Sequence, residues 1–87
     1  MLSAERNAAI RHVIADHARL SIEVSEVADA DDLFTAGMTS YASVNVMLAI
    51  EDAFGVEFPD RMLTRSVFAS IEALSTAVGE LSDDDVA

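Results

Sequence analysis

Ser40 is the side chain with the most to offer chemically. It stands where the loop residues Ala36-Gly37-Met38-Thr39 give way to the long amphipathic run from Tyr41 to Phe54. A hydroxyl at such a junction suits esterification to a phosphoryl group: the first N–H groups of a helix and the positive end of its dipole favour an attached phosphate. Gly37 lets the loop turn or come close without a side chain in the way. On local sequence alone the plainer role, an N-terminal helix cap open to Thr39 and Ser40 alike, is the better supported. Ser43 is a weaker acceptor, because it lies one turn into the helix and toward its apolar side.

Stepping through the run at about 100° per residue puts Ser43, Val46, Met47, Ile50 and Phe54 in an arc of about 100°, the face expected to meet the core. The opposite side is unusual for a solvated face. There Tyr41, Val44 and Leu48 form a second apolar stripe flanked by Asn45, Glu51 and Asp52, with Ser40 at its N-terminal end. Apolar groups ringed by carboxylates fit a docking surface, the acids steering a basic partner and the stripe giving it something to bury against. Coverage of the stripe by another helix or by the preceding loop is the competing reading.

The elements that must position this helix follow from periodicity. Ala4 to Leu20 has helical spacing at Ala9, Ile10, Val13, Ile14 and His17, with Ser3 as a cap. Ser21 to Thr39 loses that spacing and reads as a long loop packed down by Ile22, Val24, Val27, Leu33 and Phe34. Gly55 is the natural stop of the central helix. Around Pro59 there is room for only a short helical turn, near Asp60 to Leu63. From Ser66, read as a cap, Val67, Ile71, Leu74, Val78 and Leu81 repeat at helical intervals. The chain is thus expected to be all-α and a single domain over residues 1–87, with an ordered core of about 3–81 and an acidic end from 82 to 87 that frays.

Composition bounds the function. Sixteen acidic residues against five basic ones give a net charge of -11. That field repels nucleic acid and anionic lipid and attracts basic protein surfaces. With no cysteine there is no disulfide, no Cys-ligated zinc and no thiol nucleophile. No apolar run reaches the roughly 18 residues of a membrane span. Met1 to Arg11 lacks the pattern of a signal peptide, so a cytoplasmic location is expected.

The segment from Leu33 to Phe54, with Gly37, Ser40, Ile50, Glu51, Asp52 and Phe54 at the matching positions, resembles the phosphopantetheine attachment region of acyl carrier proteins. The resemblance runs from about the first helix to Leu81 and includes Phe54-Gly55-Val56-Glu57-Phe58-Pro59-Asp60. Acyl carrier proteins typically have Asp-Ser-Leu at the acceptor, whereas this chain has Thr39-Ser40-Tyr41. In that respect, and over Met47 to Asp60, it is most similar to the small bacterial aminoacyl carrier proteins. The resemblance implies a four-helix bundle with a short third helix and a long loop between helices 1 and 2. It implies a 4'-phosphopantetheine arm on Ser40, attached by a phosphopantetheinyl transferase. It further implies that stand-alone amino acid:[carrier protein] ligases related to seryl-tRNA synthetase load the arm with an activated amino acid, which a downstream enzyme accepts. The expected partner surface is Tyr41, Val44, Asn45, Leu48, Glu51 and Asp52, with Arg61, Met62 and Arg65 near the short third helix as secondary contacts.

Other constellations carry less. His12 and His17 are five apart, which misses the spacing that puts two metal ligands on one helical face. Asp29, Asp31 and Asp32 lack the central Gly and following oxygen ligand of a calcium loop. Asp83 to Asp85 read as a solvated tail. No nucleophile–base series or phosphate cradle is visible, so no catalytic residue, metal ligand or enzyme activity is assigned, and a monomer is expected. Two rivals remain: a specialised fatty-acyl or polyketide carrier, and a cofactor-free helical interaction module that uses the Tyr41, Val44, Leu48 stripe only to bind a partner.

Overall fold

The computed structural model describes residues 3–82, and among these residues there are four α-helices, two 3-10 turns and no strand. Helix α1 is Ser3–His17, α2 is Ser40–Phe54, α3 is Arg65–Phe68 and α4 is Ile71–Leu81, with 3-10 turns at Val24–Glu26 and Asp60–Met62. This is the expected all-α bundle with a short third helix and a long first loop. The acidic end assigned to residues 82–87 lies, beyond Ser82, outside the described residues.

Helix α1 packs against both α2 and α4. The shared core holds Ile10, Ile14, Leu33, Val46, Ile50, Ile71, Leu74 and Val78, all essentially without solvent exposure. α1 ends three residues before the expected Leu20. Ala18 makes the last helical bond to Ile14, and Arg19 then turns the chain with a left-handed φ of 56°. His17, expected on the apolar face, is exposed, and Ala18 is buried in its place.

The loop from Ala18 to Thr39 is held at several points. Val27 and Leu33 enter the core and Val24 and Phe34 pack at its edge, as expected. Ile22 does not: it is 46% exposed. The three loop carboxylates work locally. Asp29 pairs with Arg11 at 2.7 Å, Asp31 accepts the Ala28 N–H, and Asp32 accepts those of Phe34 and Thr35.

In α2 the buried line is Ala42, Val46 and Ile50, with Met47 and Phe54 only partly covered. The core face is thus rotated from the expected one, and Ser43 faces a groove rather than the core. Gly55 closes α2 at φ 64°, its N–H and that of Val56 both reaching the Glu51 carbonyl.

The C-terminal region departs most from the sequence reading. The turn at Asp60–Met62 is where a short helix was expected, but the third α-helix follows it, at Arg65–Phe68. The helix expected from Ser66 onward is broken at Ala69 and Ser70. Thr64 caps α3 through the Val67 N–H, and Ser70 caps α4 through the Ala73 N–H at 3.0 Å. Backbone pairing accounts for the break. It frees the Ala69 carbonyl to accept the Leu33 N–H at 2.6 Å and the Glu72 N–H to reach the Asp29 carbonyl at 2.9 Å, fastening the long loop over the junction of α3 and α4.

Candidate functional site

Two residues divide the work at the start of α2. Thr39 is the cap: it has extended backbone angles and its Oγ1 accepts the Ala42 N–H at 3.0 Å. Ser40 is the first helical residue, is exposed, and its hydroxyl makes no hydrogen bond among the described residues. Its carbonyl is steadied by the Ser43 hydroxyl, which donates to it at 2.6 Å. That bond commits Ser43 internally.

Gly37 sets the entry to this turn. It has φ 118°, and a Cβ there would lie 2.5 Å from Ser21 Oγ and 2.8 Å from Ser21 N. Ser21 also donates its N–H to the Ala36 carbonyl. The close approach of the two loop strands therefore requires a residue without a side chain, for reasons of both space and backbone angle.

Beside Ser40 runs an apolar groove of about 380 Å³. Ser40, Ser43, Val44 and Met47 of α2 form one wall; Leu63, Thr64, Arg65 and Phe68 form the other, and Phe34 of the long loop completes it. The Arg65 guanidinium lies over the Phe34 ring, 4.0 Å from its centroid. Phe68 is held from behind by Phe58, whose ring centre is 5.3 Å away.

The stripe on the outer face of α2 is uncovered: Tyr41 is 81%, Val44 50% and Leu48 53% exposed. Leu63, 47% exposed, extends it across the groove. Asn45 and Asp52 lie on its far side, where with Leu48 they border a second groove against His12, Asp16 and His17 of α1. Among the described residues no cluster suited to a metal ion occurs there or elsewhere.

Three expected surface residues stand differently. Glu51 is half-buried and its Oε2 accepts the Phe58 N–H at 2.8 Å, fastening the segment after α2 to the helix. Met62 is a core residue, 4% exposed. Arg61 is exposed but borders a separate groove toward α4, so of the two arginines only Arg65 shares a groove with Ser40. Phe34 and Leu63, both on the groove, were not anticipated there. Phe34 was read as loop packing, and Leu63 carries no periodic signal.

A family model described as the phosphopantetheine attachment site matches residues 8–78. The chain is 47% identical over 77 residues to an aminoacyl carrier protein of Agrobacterium fabrum, an alignment covering 88% of this chain and 93% of that one. It superimposes with a TM-score of 0.84 on an Agrobacterium tumefaciens carrier protein crystallised with an engineered Bradyrhizobium japonicum glycine:[carrier protein] ligase and ATP, at 47% identity over 86% of this chain and 97% of that one. A glycylated carrier protein in complex with the Bradyrhizobium japonicum ligase matches with a TM-score of 0.73 and 29% identity, over 84% and 97% of the two chains. The family match takes in the long loop, the acceptor turn, α2, α3 and most of α1 and α4, and the chain belongs to the phosphopantetheine-attachment family of carrier proteins, as a homologue of its aminoacyl carrier members.

Proposed function

We propose that this protein carries an activated amino acid as a thioester on a 4'-phosphopantetheine arm esterified to Ser40. The observation that carries the reading is the division of labour between Thr39 and Ser40: the cap is supplied by one residue, and the exposed hydroxyl of the next is left free on the rim of an apolar groove. The surroundings suit the group. The Ser40 and Tyr41 N–H groups, which precede the first intrahelical bonds, favour an attached phosphodiester, and the groove offers apolar wall to the arm. When bound, the arm supplies the thiol on which the acyl group is held, and the protein contributes tethering and presentation rather than catalysis.

The loading partner we infer is an amino acid:[carrier protein] ligase, because relatives at 47% and 29% identity are carrier proteins crystallised with a glycine ligase. A phosphopantetheinyl transferase and a downstream acceptor enzyme complete the cycle. Tyr41, Val44, Leu48 and Leu63 form the apolar centre of the surface offered to them. Asn45 and Asp52 supply its polar rim, and Arg65 lies at the groove mouth. Glu51 supports this surface from beneath, while Arg61 and Met62 fall outside it. The chain acts as one domain and a monomer in the cytoplasm.

The family match favours this reading over a cofactor-free interaction module. The 47% identity to an aminoacyl carrier protein favours it over a carrier of long acyl chains. The test is loading: the arm-bearing protein is incubated with ligase, ATP and glycine or another amino acid, and the intact mass is read. An ATP-dependent aminoacyl increment that hydroxylamine removes is the expected result. Acylation by fatty-acyl substrates, with no amino acid accepted, would move the protein to the fatty-acyl branch.

A further inference from the structure

Among the described residues the groove beside Ser40 has a single charged residue in its lining, and that residue is a cation. The chain has sixteen carboxylates and only five arginines, yet among the described residues no carboxylate borders the groove. Arg65 lies over Phe34 at 4.0 Å, with no ion pair to any described acidic residue. Around it the lining is apolar at Val44, Met47, Leu63 and Phe68 and hydroxylic at Ser40, Ser43 and Thr64. The volume of about 380 Å³ lies at the small end of the range for ligand sites. Anything seated there meets mostly apolar wall, a few hydroxyls and one positive charge, held over the Phe34 ring.

This arrangement discriminates by charge at the end of the arm. An uncharged terminus loses little on entering an apolar groove, whereas an ammonium gives up hydration and meets a like charge at close range. An aminoacyl thioester ends in an α-amino group that is protonated below about pH 7.7. Outside the groove the same ammonium faces a surface with a net charge of -11, so attraction outside adds to repulsion inside.

We propose that the groove formed by Phe34, Val44, Met47, Leu63 and Phe68 shelters the unloaded arm, and that Arg65 expels the arm once it carries a free amino acid, leaving the cargo exposed for transfer. Loading thereby changes where the arm rests without any rearrangement of the helices. The inference rests on the aminoacyl reading above and assigns Arg65 a positioning role toward the arm.

The test uses full-length protein carrying one of three arms on Ser40 at pH 6: the free thiol, a glycyl group linked by an amide in place of the thioester, and its N-acetylglycyl counterpart. NMR contacts between the arm and the Val44, Met47 and Leu63 methyls report occupancy of the groove. The thiol and N-acetylglycyl arms are expected to occupy it, with the glycyl arm lower by about tenfold, the effect of like charges a few ångströms apart at a partly solvated site. Arg65→Gln should abolish the difference. Arg65→Lys, which keeps the charge, should retain it, and high salt should shrink it. Equal occupancy by the glycyl and N-acetylglycyl arms, a difference that survives Arg65→Gln, or no groove contact from any arm would overturn the proposal. Intact mass and peptide mapping of each sample report attachment separately: failure to attach at Ser40 would overturn the carrier reading and this inference together, whereas correct attachment with equal occupancy would overturn this inference alone.

Discussion

Thr39 Oγ1 accepts the Ala42 N–H at 3.0 Å, one residue before a hydroxyl that makes no hydrogen bond among the described residues. A cap at Ser40 would have placed the acceptor oxygen in competition with the backbone it closes. With Thr39 in that role, stability and chemistry separate onto adjacent residues. Thr39→Ala is expected to destabilise the fold by about 1 kcal/mol, a fall in Tm of roughly 4–8 °C for a chain of this size. Ser40→Ala should stay within about 0.5 kcal/mol of wild type. Thermal unfolding of the two variants followed by circular dichroism measures both. A Ser40→Ala variant as unstable as Thr39→Ala would assign the capping role to Ser40.

Gly37 makes a second, independent prediction. A Cβ would strike Ser21 Oγ and Ser21 N and would sit on a backbone at φ 118°. Gly37→Ala should therefore cost about 2 kcal/mol or more. Adding Ser21→Gly removes the Oγ clash but leaves the backbone N and the φ, so denaturant titration of the double variant should recover only part of the loss. Full recovery would show that crowding by the hydroxyl was the whole constraint.

Glu51 and Asp52 stand side by side in sequence and are expected to behave differently. The Glu51 carboxylate is spent on the Phe58 N–H at 2.8 Å, so Glu51→Ala should destabilise by about 1–3 kcal/mol through an unpaired, part-buried donor. Asp52 is exposed beside the Leu48 groove, and Asp52→Lys should leave unfolding unchanged while weakening ligase binding at low salt. Binding measured by calorimetry at low and at high salt distinguishes the two, the Asp52→Lys deficit narrowing as salt rises. A deficit independent of salt would mean that Asp52 makes a direct contact rather than steering the approach.

The apolar stripe should act in binding and not in folding. Leu48→Ala removes a side chain already 53% exposed, so little stability is at risk. Its loss from a desolvated interface centre should weaken ligase affinity by roughly 1–2 kcal/mol, five- to thirty-fold. Unchanged affinity together with a large drop in Tm would instead make Leu48 a core residue.

What the sequence made legible was whatever one helix carries by itself. The Tyr41, Val44, Leu48 stripe and the stop at Gly55 lie within one periodic run, and their spacing alone placed them. The groove did not show, because it joins Phe34, Val44 and Arg65 from three separate stretches of chain, and contact between them depends on how the loop folds back. The break at Ala69 was hidden for a related reason. Val67, Ile71 and Leu74 keep helical spacing straight across it, while the cause is a hydrogen bond from Leu33, far away in sequence. Met62 and Ile22 were misread in opposite directions, one assigned to a surface and found in the core, the other assigned to packing and found exposed. Both sit in short irregular segments, where apolar character does not say which way a side chain turns.

The central claim is that Ser40 bears the arm, and intact mass tests it most directly. The chain is coexpressed with a broad-specificity phosphopantetheinyl transferase, alongside folded Ser40→Ala and Ser43→Ala variants. A phosphopantetheine increment is predicted on wild type and Ser43→Ala and not on Ser40→Ala, with the modified peptide spanning Ser40. An increment that persists on Ser40→Ala, or that moves with Ser43, would contradict the account.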